Sequence, residues 1–528
     1  MEYLKDRIEA DSGWVREKKA AFGNIIEPII LTPFQYQFGS FQMTSILRGF
    51  LSIFSAQVAN LLLSIIITPL LVRIIGSNGY GDYAFLLSLV SISFILVNAG
   101  IFDGMRKFMT EQRGLPQWTE QVLGFYIQLG LILGGVSALI YGLIAWSNLA
   151  GQIFGSKFDT YFILAGGVLL ARQAYSISRG GLMGFGKETI SEPLAVLQLV
   201  CFGVAGISLA RGFGVVGVLW GQIISYIVVA CIGFTIIIQQ VDLHAVLGRG
   251  PREFPRQELL AFNGLSVVLV FLLTSLYHVD VLLLRPMVGD SPTGYYKAAL
   301  TVAEFVWFAP VALQIILMHS TSEMWSEGKT NEITNLTSRI TRFNLAITAL
   351  LVVGIGTLAG EFIPLYYGPE FNAAIQPLIL LLPGAMGFAL ARPILAVGQG
   401  KGSLRTLIMA TGAAAGMNLL LNLTLIPHYG TTGAAIATSA SYGSMIVLHV
   451  IAARQIGYDP VSDLRIVRTG IVMGITATVI VPLNGEIGSS ILSLIIVPPV
   501  GFAVFSLGMI LLGAIPREDV SYIVGYFN

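Results

Sequence analysis

Apolar residues in this 528-residue chain fall in long runs, and polar residues gather in short clusters between them. A helix needs about 20 mostly apolar residues to cross the hydrocarbon core with its backbone satisfied internally. Fourteen runs approach or exceed that length: 48–72, 83–102, 121–146, 159–178, 193–210, 215–239, 259–284, 294–318, 341–363, 373–397, 404–426, 433–453, 466–484 and 490–513. We number them spans 1 to 14; the fifth and thirteenth are the shortest. The pattern predicts an all-α polytopic membrane protein.

Lysine and arginine orient the spans, because cytoplasmic loops carry their excess. With the N-terminus inside, the inner segments take Arg106, Lys107, Arg113, Arg179, Lys187, Arg249, Lys329, Lys401, Arg454 and Arg465, among others. The outer side takes only Arg73, Lys157, Arg211, Arg285 and Lys297. Both termini are expected in the cytoplasm, on a multi-pass protein of the cell membrane. Composition agrees: 55% of residues are hydrophobic and 11% charged, where a soluble chain carries roughly a quarter charged. Thirty basic residues against 29 acidic ones give no basicity that would suit nucleic acid. Cys201 and Cys231 lie in apolar runs, and no metal-ligand spacing is present. No cofactor is expected. Residues 1–45 are too charged for a signal peptide and suit a surface-lying amphipathic segment or disorder.

The chain also repeats. Gly214-x-x-Gly217 followed by Ser225-Tyr226 recurs 216 residues later as Gly430-x-x-Gly433 and Ser441-Tyr442. Gly184-Phe185-Gly186-Lys187 matches Gly398-Gln399-Gly400-Lys401 at an offset of 214, and Arg73, Gly76 and Tyr83 match Arg285, Gly289 and Tyr296 at 212 to 213. Spans 1–6 therefore pair with spans 7–12. Six is even, so the two halves enter the membrane in the same orientation, as parallel repeats related by an axis along the membrane normal do. The expected organisation is a cytoplasmic segment 1–45, a six-helix bundle 46–240, a cytoplasmic linker 241–258, a second bundle 259–455, and spans 13 and 14 with a cytoplasmic tail over 456–528.

Four stretches carry a family resemblance over about 45–455. They are Arg73 to Tyr83 (RIIGSNGYGDY), Val279-Asp280 through Gly294-Tyr295-Tyr296-Lys297-Ala298-Ala299, Leu365-Tyr366-Tyr367-Gly368-Pro369-Glu370-Phe371, and Tyr429-Gly430 to Thr438. Together they resemble the multidrug/oligosaccharidyl-lipid/polysaccharide exporter superfamily, in its polysaccharide flippase (Wzx-like) branch. The resemblance implies translocation of a polyprenyl-linked glycan without ATP hydrolysis. Glycan-assembly enzymes would be its natural neighbours in the membrane. Gly186-Lys187-Glu188 lacks the spacing of a phosphate-binding loop, and no nucleophile–base constellation stands out, so no catalytic residue is expected.

Ionisable groups at membrane depth cost several kcal/mol unless they face protein or water, so each is a functional candidate. Glu304, near the middle of span 8, suits a coupling cation or proton, or a hydrogen bond between helices. Asp280 is a second acid, with a salt bridge to Arg285 as the plain explanation. Arg172 and Arg392 are candidate phosphate ligands, and Arg48 a contact at the inner mouth of span 1, with snorkelling as the alternative for all three. Asn60, Asn418 and Asn422 supply polar groups for a cleft or for interhelical hydrogen bonds. The rival readings are a cation-coupled drug exporter of the same superfamily, a ligase-like membrane enzyme, which the short outer loops disfavour, and a non-transporting scaffold.

Overall fold

A computed structural model describes the backbone over 40–516, apart from 112, 115, 249–252 and 263. Side chains are described from residue 55 onward within it, apart from 247, 315, 316 and 319. The side chains of the 1–45 segment and of Arg48 lie outside the described residues.

Ten helical stretches among the described residues are long and apolar enough to span a membrane. Three of them, Ser55–Phe108, Glu188–Ile238 and Leu404–Ile456, are broken at Gly76, Gly214 and Gly430. An unbroken 51-residue helix such as Glu188–Ile238 would run about 77 Å, far beyond a bilayer. Each of the three therefore crosses twice. The 28-residue helix Lys157–Gly184, too polar by its Arg172 and Arg179 to stand out, completes fourteen crossings.

The break geometry carries the repeat. Gly214 has φ 54° and ψ −131°, and Gly430 has φ 55° and ψ −129°. A side chain is strained at such φ, so only glycine turns the helix cheaply there. A Cβ on Gly217 would strike the Leu209 carbonyl, and one on Gly433 the Leu425 carbonyl, so both hairpins close with the same contact. Gly76 and Gly289 also share positive φ, 70° and 105°.

One register from the sequence is corrected. The backbone N–H of Lys187 bonds to the Leu182 carbonyl (2.9 Å), and that of Ser403 to the Gly398 carbonyl (3.1 Å). The positive-φ glycines of these turns are Gly186 and Gly402. The offset is therefore 216, as at Gly214, and Lys401 is not the counterpart of Lys187. The misleading Gly-x-Gly-Lys match arose because glycine also ends the tenth helix at Gly400.

The turns at Gly76, Gly214, Gly289, Gly368 and Gly430 lie on one face, and the arginine- and lysine-rich turns on the other, the basic face. Packing differs between the two. Toward the glycine-break face, Tyr83, Phe85 and Phe158 of the first half share one core with Leu284, Tyr296 and Phe371 of the second. Toward the basic face the halves keep separate cores, one around Met105, Leu123 and Leu182, the other around Leu269, Ile394 and Leu407. The bundles are thus closed together at one face and part at the other.

Spans 13 and 14 (Ile466–Glu486 and Ser490–Leu511) pack on span 9 (Thr330–Tyr367), with Val472, Phe505 and Met509 against Ala346 and Ala349. Polar pins hold both ends: Arg342 pairs with Asp463, and the Asn484 amide donates to Glu361 Oε1 at 2.9 Å.

Candidate functional site

Inside the second half, four polar side chains from spans 7, 8, 11 and 12 converge. Asp280 is fully buried. Its Oδ1 accepts the backbone N–H of Val281 at 2.7 Å, and its Oδ2 faces the hydroxyls of Tyr296 and of Thr438, the latter at 3.0 Å. The Tyr296 hydroxyl and Thr438 Oγ1 lie 3.0 Å apart. The Asn418 amide donates to Thr438 Oγ1 at 3.4 Å, and the Asn422 amide to the Asn418 backbone carbonyl at 2.9 Å. The side-chain oxygens of Asn418 and Asn422 are buried without a partner among the described residues.

Two sequence expectations change here. Asp280 forms no salt bridge with Arg285. Positions five apart lie about 140° around a helix, on different faces, and Arg285 reaches Asp82 instead. Asn418 and Asn422 do not line the cleft between the halves. At 1% and 0% exposure they sit within the second bundle, where span 11 folds back against spans 7 and 12.

A cavity of about 330 Å³ lies between the halves, toward the basic face. Span 2 supplies Phe94 and Asn98, the short helix Ile101–Phe108 that follows it supplies Asp103, span 4 supplies Arg172, and span 7 supplies Ser266, Tyr277 and His278. The Arg172 guanidinium lies over the Phe94 ring at 4.0 Å and has no hydrogen bond or ion pair among the described residues. Arg392 stands behind the opposite wall, donating to Tyr277 Oη at 3.1 Å and Gln314 Oε1 at 3.2 Å. Its guanidinium is 4.9 Å from the Trp307 and Phe388 ring centres. The cavity thus has one free arginine on the first half and, through Tyr277, a braced one on the second. His278 bonds to Ser88 at 3.1 Å, bridging the halves as a packed histidine.

Glu304 opens a 3₁₀ turn, Glu304–Trp307, that interrupts span 8. Pro310 explains the interruption, since it cannot donate to the Val306 carbonyl. The half-buried carboxylate is within Coulombic reach of Lys297 and Arg392. Asn60, half-buried on span 1 with its side-chain oxygen unpartnered among the described residues, lines neither the cavity nor the polar cage.

The sequence reading missed a third cluster, which closes the glycine-break face. Asp82 of span 2, 1% exposed, meets Arg285 Nε at 2.7 Å and Lys157 Nζ at 2.5 Å, and Asp290 lies 3.8 to 3.9 Å from both cations. Ser291 bonds to Asn78, and Arg73 bonds to the carbonyls of Leu365 and Tyr366. Apart from the charges themselves, the only sequence signal was Asp82 inside the Gly79-Tyr80-Gly81-Asp82-Tyr83 motif.

The profile of the family described as "Polysaccharide biosynthesis protein" matches residues 46–307. The probable low-salt glycan biosynthesis flippase Agl15 of Haloferax volcanii is 22% identical over 446 residues, 81% of this chain and 89% of its own. The lipid II flippase MurJ in an inward closed conformation superposes with a TM-score of 0.71 at 14% identity, over 89% of this chain and 99% of its own. An inward-facing multidrug resistance MATE family transporter gives 0.61 at 15% identity, over 75% and 94%. Among the described residues the fold is an all-helical membrane architecture of two co-oriented bundles with a cavity between them. Residues 46–307, just under half of the chain, match the polysaccharide biosynthesis family, and over most of its length the chain is similar to a glycan flippase and shares the MurJ-like and MATE-like fold.

Proposed function

We propose that the protein is a flippase that carries a polyprenyl-linked oligosaccharide across the cytoplasmic membrane by alternating access. The observation that carries this reading is the cavity between the halves, with Arg172, unpaired among the described residues, on one wall and Arg392 behind the other. Guanidinium stays charged at membrane depth and grips phosphate bidentately, which suits the phosphate of such a carrier. The polyprenyl tail stays in lipid beside spans 13 and 14 while the head crosses. The basic face is then cytoplasmic, with both termini on that side, and the state described here is open inward. The work is transport rather than chemistry on the glycan, beside the enzymes that assemble it. A drug exporter is disfavoured by sign, since an unpaired arginine repels cationic drugs.

Asp280, Thr438, Asn418 and Asn422 serve as the coupling site. A buried carboxylate with hydroxyl and amide oxygens is a hard-cation donor set, and one negative charge balances one monovalent cation. Drawing those oxygens together would tighten spans 7, 11 and 12. A charge moving through the full potential contributes about 2.3 kcal/mol per 100 mV.

The test is loss of the gene followed by analysis of lipid-linked glycans. Accumulation on the cytoplasmic leaflet supports the flippase, and an unchanged pool refutes it. In the same cells, Glu304→Gln, which removes the second candidate coupling acid near the middle of span 8, and Arg392→Ala are expected to abolish transport with membrane insertion intact.

A further inference from the structure

The first half contains a counterpart of the Asp280 cage, altered in one respect. By the repeat, Tyr296 corresponds to Tyr83 and Thr438 to Gln222, while Asp280, five residues before Arg285, corresponds to Thr68, five before Arg73. The hydrogen bond is kept: Gln222 Nε2 donates to the Tyr83 hydroxyl at 2.9 Å, where Thr438 and Tyr296 lie 3.0 Å apart in the second half. Phe202 stands where Asn418 would be.

The carboxylate is what the first half lacks. In its place is a cavity of about 210 Å³ whose wall is mostly apolar, with Leu71 and Phe202 among its residues, and whose polar groups are Ser64, Thr68, Tyr80, Tyr83 and, from span 8, Lys297 and Thr301. Lys297 sits seven residues inside a helix that starts at Asp290, about 10 Å along its axis. An ammonium at that depth is costly without a close anion, and Lys297 has none among the described residues: Glu304 and Asp280 act on it only at Coulombic range, with no ion pair or hydrogen bond. A cationic head and five hydroxyl-bearing side chains surround the same space.

We infer that this cavity is a subsite for an acidic sugar, whose ring carboxylate takes the place that Asp280 fills in the second half. The volume equals about seven waters at ~30 Å³ each, room for one sugar ring. The hydroxyls match a ring's own hydroxyls, and the compact ammonium of Lys297 pairs with the carboxylate. The planar arginines, Arg172 and Arg392, are left for the carrier phosphate. The inference rests on the flippase reading and narrows its substrate to glycans bearing a uronic acid.

The test uses the full-length protein in vesicles, with two polyprenyl-diphosphate trisaccharides that differ only in carrying glucuronate or glucose. The expected result is faster flipping of the acidic glycan by wild type. Lys297→Met should slow that glycan about tenfold, the scale of one lost charge-assisted bond, while leaving the neutral one unchanged. Thr68→Asp, which supplies the missing carboxylate internally, should remove the same preference, and Lys297→Arg should keep most of it. Equal slowing of both glycans by Lys297→Met, or no preference in wild type, overturns the inference while the flippase reading stands. If wild type moves neither lipid, the flippase reading itself falls.

Discussion

Arg285 on span 7 holds the Asp82 carboxylate on span 2 at 2.7 Å, and with Lys157 it fastens the two halves at the glycine-break face. Asp82 is 1% exposed, so Asp82→Asn leaves the largely buried Arg285 facing a neutral amide, with the more distant Asp290 as its remaining counter-charge. Losing one partner of a fully buried pair costs about 3–5 kcal/mol; with Asp290 still nearby and Lys157 half exposed the loss here is smaller, yet it favours opening at that face. Cysteines placed at Asn78 and Ser291, which hydrogen-bond across the halves, should cross-link readily in a background lacking Cys201 and Cys231. Asp82→Asn should slow the cross-linking several-fold. Undiminished cross-linking removes the latch.

The buried carboxylate of Asp280 makes a separable prediction. Asp280→Asn keeps the size and can still bond to Tyr296 and Thr438, so the fold should persist. Wild type should gain thermal stability as the coupling cation is added, by about 2.7 kcal/mol at a hundredfold excess over its dissociation constant. The variant should show no such shift. Titrating Tm with sodium, potassium and choline chloride checks this and identifies the ion, and equal shifts in both proteins exclude the site.

The sequence made the bundles and their repeat readable because both rest on local physics. Long apolar runs must be helices in lipid, and a helix that reverses at positive φ needs glycine, so Gly214 and Gly430 stand out. The polar sites were harder to read because their partners are distant. Asp280 looked like a partner of Arg285 through proximity in sequence, while its hydroxyl partner Thr438 is 158 residues away. Lys297 counted as an outer charge because its apolar run begins near 294, yet the helix begins at Asp290, which carries the lysine into the membrane. Asp82 gave no periodic signal, since its importance lies in where the second half places Arg285.

The shared break geometry predicts matched costs. Alanine at Gly214 or Gly430 meets the same positive φ and the same strained backbone, at about 1–3 kcal/mol each. Both variants should melt lower by similar amounts in detergent, whereas Gly416→Ala, on an open helical position, should be neutral or mildly stabilising. Unequal losses at the two breaks would show that the halves do not use them alike.

Arg172 and Arg392 differ in how they are held, and lysine substitution separates charge from geometry. Arg392 is braced by Tyr277, Gln314, Trp307 and Phe388. Lysine preserves its charge but cannot reproduce the planar fork or the stacking. Arg172 lies over the Phe94 face and has no hydrogen bond or ion pair among the described residues, so it can reach a ligand by charge alone. Arg392→Lys should therefore lower the flipping rate at least tenfold, the scale of one lost charged hydrogen bond, while Arg172→Lys lowers it only a few-fold. Arg172→Ala should be as damaging as Arg392→Ala, because there the charge itself is gone. Measuring initial flipping rates for all four variants, at matched protein per vesicle, tests the pattern. If Arg392→Lys works as well as wild type, the brace around Arg392 is packing, and the phosphate contact falls to Arg172 alone.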